Sequence, residues 1–288
     1  MRLFSNGLLL SKRTVRRYLE IYENNELMLK MDERYRQKKT ELMSRTLIAP
    51  SRLAAFIEET KAIPYTTFRY GQYYPAIRKA AGKLAEAIKL EGYLYLPIHF
   101  FGSGISEKIG EILERSGNVK GLILDLRNNS GGVVEECVRI ARLLLPSCSI
   151  AELNYPGKIV TFLSDEKRHS FGRLFILVNE YSASCSEIMA LTLRMHLKEA
   201  MVIGERTACK NIGQRTFNHR RKRRLFSVSS FQWSVEKENS SLLQEYLKSD
   251  NPQGGSFKSN DDYFRRILQM IQRESGEREA QAFSEIMG

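Results

Sequence analysis

The chain has 288 residues, 42% hydrophobic and 27% charged, which is ordinary globular usage and excludes a disordered chain. With 19 Gly and 7 Pro it is neither collagen-like nor proline-rich. The 45 Lys+Arg against 33 Asp+Glu give a net charge of +12, a balance that favours acidic partners and says nothing about fold.

The four cysteines, Cys137, Cys148, Cys185 and Cys209, contain no C-x-x-C pair, so a zinc ribbon and a thioredoxin-type motif are excluded. A chain of this size needs no disulfide framework. No apolar run is long enough to span a bilayer. The run Leu8-Leu9-Leu10 is too short for a signal-peptide core. The expectation is therefore a cytoplasmic protein, or an exported one if the N-terminus is incomplete.

From Ser11 to Thr46 there is no Gly or Pro, and apolar residues recur at helical spacing: Val15, Tyr18, Leu19, Tyr22. This predicts one long helix, or a helical hairpin broken near Asn24-Asn25. A surface or dimerisation helix is the favoured reading over a nucleic-acid arm, and it leaves a homo-oligomer through this helix open. Ser51 to Ile63 reads as helix, Pro64 to Pro75 as an irregular aromatic segment, and Ala76 to Leu90 as helix again. Beyond Gly92 the pattern changes. Tyr93 to Ile98, Val119 to Leu126, Leu174 to Asn179 and Ala200 to Gly204 read as strands. They alternate with helices at Ser106 to Arg115, from Gly131-Gly132 to Leu145, and from about Ser186. That alternation predicts an α/β fold with a mostly parallel sheet. Arg215 to His219 and Leu225 to Trp233 read as a hairpin, and Asp261 to Arg273 as a closing amphipathic helix. The expected domains are residues 1-90, a helical N-terminal region, and 91-288, a catalytic core.

In open α/β sheets, sites lie at the carboxyl ends of strands. Three such ends carry chemistry. The first, Leu124-Asp125-Leu126-Arg127-Asn128-Asn129-Ser130-Gly131-Gly132, runs a strand into a Gly pair and a helix. Exposed backbone N–H groups there can hold an anion, although Gly pairs commonly serve only a tight turn. The second, Ser182-Ala183-Ser184-Cys185-Ser186-Glu187-Ile188, sets serines at a strand-to-helix junction. Ser184 and Glu187 have capping-box spacing, and on this segment alone capping outweighs catalysis. The third, Gly204-Glu205-Arg206-Thr207-Ala208-Cys209-Lys210-Asn211-Ile212-Gly213-Gln214, places a lysine just past a strand. A lysine serves as a base only if burial or a neighbouring cation lowers its pKa.

In this order the three segments resemble the carboxyl-terminal processing (tail-specific) serine proteases. Those enzymes carry Leu-Asp-Leu-Arg-x-Asn-x-Gly-Gly, then Ser-Ala-Ser-x-Ser-Glu-Ile, then Thr-x-x-Lys-x-x-x-Gln. The match runs from about Gly92 to Trp233. The resemblance implies a ClpP/crotonase-like core and serine endopeptidase action on protein or peptide substrates, without cofactor or metal. It implies that Ser184 is the nucleophile, Lys210 the general base, and Gln214 the residue that orients the lysine. It implies an oxyanion hole from the backbone N–H of Cys185 and one from Gly131 or Gly132, with Glu187 and Thr207 in support. The chain departs from the family at Cys185, where Ala is usual, and at Cys209 and Asn211, where Gly is usual. No PDZ domain is legible. Two other readings stand beside this one. One is a degenerate member that only binds peptides; the other, ranked last, is a crotonase-like acyl-transfer enzyme.

The histidines His99, His169, His196 and His219 are scattered, and none is positioned by sequence to complete a Ser-His triad. The run Arg220, Arg221, Lys222, Arg223, Arg224 falls at the expected hairpin tip. A solvated turn is the favoured reading there over a nucleic-acid or anionic-membrane contact.

Overall fold

A computed structural model of the chain describes residues 9–71, 82–84, 86–90, 92–165, 169–250, 262–263 and 265–271. The chain divides into two compact units. The first comprises Met1–Arg78, Glu152–Thr161 and Asn211–Ser234, and the second Lys79–Ala151, Phe162–Lys210 and Val235–Gly288. The division does not fall at residue 90, because the expected hairpin after Asn211 belongs with the N-terminal region.

The chain begins with β1 (Leu10–Ser11), α1 (Lys12–Asn25), α2 (Glu33–Met43), β2 (Leu47–Ile48), α3 (Pro50–Thr60) and β3 (Thr67–Tyr70). The helical hairpin reading holds: α1 ends at Asn25, and α2 restarts after Asp32, whose side chain accepts from the Tyr35 N–H at 2.9 Å. The apolar stripe of α1, Val15, Tyr18, Leu19 and Tyr22, is buried in the first unit's own core with Phe56, Phe68, Phe226 and Val228. Tyr18 meets Phe68 edge to face, with ring centroids 5.0 Å apart. Thr67 to Tyr70, read from sequence as irregular, is a strand that pairs antiparallel with a later one, Phe68 opposite Phe226.

The middle of the chain continues with β4 (Lys83–Leu84), β5 (Ile88–Leu90), β6 (Tyr93–Phe100), α4 (Ile105–Arg115), β7 (Gly121–Asp125) and α5 (Val134–Leu144). The helix expected over Ala76 to Leu90 is corrected here, since residues 83–84 and 88–90 are strands; residues 76–81 lie outside the described part. Leu90 pairs with Tyr93 at a turn where Gly92 sits at φ 83°. That turn closes a β-hairpin, where the sequence reading took Gly92 as a helix stop.

Next come β8 (Cys148–Tyr155), β9 (Lys158–Ser164), β10 (Arg173–Val178), α6 (Cys185–His196), β11 (Ala200–Gly204), β12 (Ile212–His219), β13 (Arg224–Ser234) and α7 (Ser240–Asp250). The β8–β9 hairpin and α7 have no counterpart in the sequence reading. The second unit's sheet runs β11-β10-β7-β6-β4, with β5 also on β6. Its central strands are parallel, Leu174 opposite Leu122 and Leu94 opposite Leu122. All five residues of β7 are buried, as expected for a parallel strand covered on both faces. Tyr263 and Ile267, from the helical residues 265–271 and the segment just before, pack on Tyr93, Phe175 and Ile203. Of the closing helix expected over Asp261 to Arg273, Asp261, Phe264, Gln272 and Arg273 lie outside the described residues. A second sheet has the order β12-β13-β8-β9, with β3 also on β13. Among the described residues, no helix is long and apolar enough to cross a membrane.

Candidate active site

The second unit brings the carboxyl ends of β7, β10 and β11 side by side, because these strands are parallel neighbours. Three loops leave those ends, and each carries one of the segments singled out in the sequence.

The loop after β7 turns sharply. Asn128 has φ 58°, Gly131 φ 99° and Gly132 φ 150°. A Cβ on Gly131 would stand 2.9 Å from the Ala183 carbonyl and 3.1 Å from the Cys185 nitrogen. The glycine is thus what allows this loop to touch the start of α6. Asn129, which the sequence reading passed over, fastens the two loops together. Its Oδ1 accepts from the Gly131 N–H at 2.9 Å, and its carbonyl accepts from the Ala183 N–H at 3.0 Å and the Ser186 hydroxyl at 2.7 Å. An Asn two residues before a Gly pair is the only signal that could have marked it. The Gly131 N–H is therefore occupied. The N–H groups of Gly132 and Cys185 donate to no protein group among the described residues.

Ser184 stands at the N-terminus of α6 with φ 56° and ψ −114°, far from the extended backbone of an ordinary N-cap. A non-glycine residue there carries strain of order 1–3 kcal/mol, held by its surroundings. The restraint is Glu187, fully buried, whose Oε2 accepts from the Ser184 N–H at 2.8 Å. The same oxygen accepts from the Lys210 N–H at 2.9 Å, and Oε1 accepts from the Thr207 hydroxyl at 2.7 Å. Burial raises the Glu187 pKa above the usual carboxyl range, and these donors pull it back. The Thr207 hydroxyl also takes a hydrogen bond from Gln244 Nε2 at 2.8 Å, a link to α7 that the sequence did not suggest.

Lys210 is half-buried, and burial lowers its pKa from 10.5, against the opposing pull of the Cys185 thiol and the Glu187 carboxylate. Cys209 before it has φ 53°, the left-handed region where glycine is at home. The structure thus gathers Ser184, Cys185, Glu187, Thr207, Lys210 and the Gly131-Gly132 turn in one unit. Gln214 belongs to the other unit, on β12, where its Nε2 donates to the Tyr65 carbonyl at 3.1 Å.

Residues 92–250, more than half of the chain, match the model of peptidase family S41. The chain belongs to peptidase family S41. Among curated proteins it is 39% identical over 106 residues to a carboxyl-terminal-processing protease of Synechocystis, covering 36% of this chain and 24% of that protein. It is 30% identical over 145 residues to a tail-specific protease of Haemophilus influenzae, covering 49% of this chain and 21% of that one. The chain thus spans about a quarter of the length of these relatives. Among solved structures, a lipoprotein from Streptococcus agalactiae superposes with a TM-score of 0.61 at 17% identity, covering 87% of this chain and 100% of that one. A putative peptidase from Parabacteroides merdae superposes with a TM-score of 0.52 at 17% identity, covering 80% and 87%. These likenesses fix the fold as that of the S41 proteins, a mixed α/β architecture.

Proposed function

We propose that this S41 protein is a serine endopeptidase that cleaves protein substrates through a Ser184–Lys210 dyad. The observation that carries the reading is the Glu187 carboxylate, which ties the backbones of Ser184 and Lys210 to one atom in the unit where the Gly132 and Cys185 N–H groups have no protein acceptor among the described residues. Neutral Lys210 takes the proton of the Ser184 hydroxyl as its oxygen attacks the peptide carbonyl. The N–H groups of Cys185 and Gly132 receive the oxyanion; Gly131 is left to shape the turn, its own N–H being held by Asn129. Lys210 then returns its proton to the leaving amine, and water hydrolyses the acyl-enzyme. Thr207 holds Glu187 in this scheme. The names of the relatives point to the carboxyl-terminal region of proteins as the place of cleavage.

The test is to label the protein with a serine-directed covalent inhibitor and map the adduct by mass spectrometry. Modification of Ser184, lost in Lys210→Ala, supports the reading. An unlabelled but folded protein that still binds peptides would instead establish the peptide-binding alternative.

A further inference from the structure

The basic run at the β12–β13 turn is not a uniform patch. Lys222 and Arg224 line a groove of about 520 Å³ whose opposite wall is α1, whereas Arg221 and Arg223 are exposed outside it. Arg13 and Arg17, one helical turn apart, face the same groove, and Tyr18 and Phe217 give it apolar surface. No carboxylate among the described residues lines it. All of these residues belong to the first unit.

Arg224 is the decisive residue. It is only 6% exposed, yet among the described residues its side chain enters no hydrogen bond or ion pair. A guanidinium stays charged at any physiological pH, and the Arg224 nitrogens, which are not among the sealed polar atoms of the fold, meet whatever fills the groove. Buried Arg127 and partly buried Arg194 show what this fold does elsewhere. Arg127 Nε lies 2.9 Å from Asp125 Oδ1, and Arg194 Nε lies 2.8 Å from Asp250 Oδ2. Arg224 has no such carboxylate, and Arg13, Arg17 and Lys222 are also outside any ion pair among the described residues.

We propose that this groove binds a phosphate group carried on a small molecule of nucleotide size, with Arg224 as the buried anchor. Four cations around one groove match a multiply charged group better than a single carboxylate. Arginine forks match phosphate oxygens two at a time. The volume lies within the range of small-molecule sites, and the Tyr18–Phe217 surface suits a planar or apolar body. A lipid headgroup would present the same phosphate, so the probes must separate the two sources.

The experiment is calorimetric titration of the whole protein with pyrophosphate and with ATP, alongside sedimentation with vesicles containing phosphatidylglycerol. We expect saturable one-to-one binding of the soluble phosphates. Affinity falls at least tenfold in Arg17→Gln and in Arg224→Gln and is unchanged in Arg221→Gln. If Arg224→Gln fails to fold, the double variant Arg13→Gln/Arg17→Gln, altered only on the exposed face of α1, carries the test. Absence of binding by both soluble phosphates, an equal loss in Arg221→Gln, or binding to vesicles alone would each overturn the proposal.

Discussion

The backbone N–H groups of Ser184 and Lys210 converge on one oxygen, Glu187 Oε2, at 2.8 and 2.9 Å. The two residues come from different loops, so this atom sets how their backbones approach. Glu187→Gln can keep only one acceptor oxygen and brings an amide that must itself donate. A buried donor left unmatched costs about 1–3 kcal/mol. The expected outcome is a folded but less stable protein whose kcat/KM on casein drops by about 100-fold, the scale of a misplacement near 1 Å. Unchanged kinetics would show that the carboxylate does not position the dyad.

Ser184→Ala and Lys210→Ala should each remove nearly all cleavage, and the double variant should be little worse than either. Groups that act as one catalytic unit are non-additive in this way. Independent, multiplicative losses in purified variants would contradict the dyad.

The pH dependence follows from the burial of Lys210, which lowers its pKa from 10.5. Protonated lysine cannot accept the serine proton, so cleavage rises with pH up to the lowered pKa and then levels. Between that pKa and 10.5 the unfolded chain binds the proton that the folded one has released, so this group makes stability rise with pH over that interval. Glu187 acts oppositely. Its raised pKa means the folded state holds a proton the unfolded state has lost, so stability falls as pH rises from 4.5 to the folded value. Rate profiles of the wild type, with denaturant titrations of wild type and Lys210→Met, check both signs, the variant losing only the alkaline slope of stability.

Backbone strain gives a separate test. Ser184 and Cys209 both hold positive φ, at 56° and 53°. Glycine adopts that region freely, so Ser184→Gly and Cys209→Gly should each raise stability by up to about 1 kcal/mol. Their activities should diverge: the first inactive, the second equal to or better than wild type. Thermal melts paired with a peptide-cleavage assay decide this.

Gly132 allows no side chain, because a Cβ there would overlap the Phe101 carbonyl. Gly132→Ala should force the loop away from α6 and abolish cleavage even where circular dichroism shows a folded protein. A fully active Gly132→Ala would place the oxyanion elsewhere.

Much of this site is legible in residue order, because its parts are local. Ser184 and Glu187 are three apart on one helix start, and the glycine pair announces a turn. Asn129 and Gln244 escape such reading, since their importance lies in what they touch 54 and 37 residues away, Ala183 and Thr207. The parallel strands were readable as continuous apolar runs. Residues 83–84 and 88–90 were not, since their composition suits a helix and only pairing with β6 makes them strands. Thr67 to Tyr70 is likewise strand only because Phe226 and its neighbours lie opposite.

That last pairing has a consequence for synthesis on the ribosome. The first unit starts the chain but is not complete until Ser234 has been made. Val15, Tyr18, Tyr22 and Phe68 emerge early, and their partners Phe226 and Val228 emerge only after the loops that follow β7, β10 and β11. At about 5–20 residues per second, the wait between Phe68 and Phe226 is roughly 8–30 s. During that time an aromatic cluster and the open edge of β3 are without their native cover. The first unit therefore stays open throughout the making of the second unit's sheet, and the second in turn still awaits α7, Tyr263 and Ile267 when Ser234 emerges.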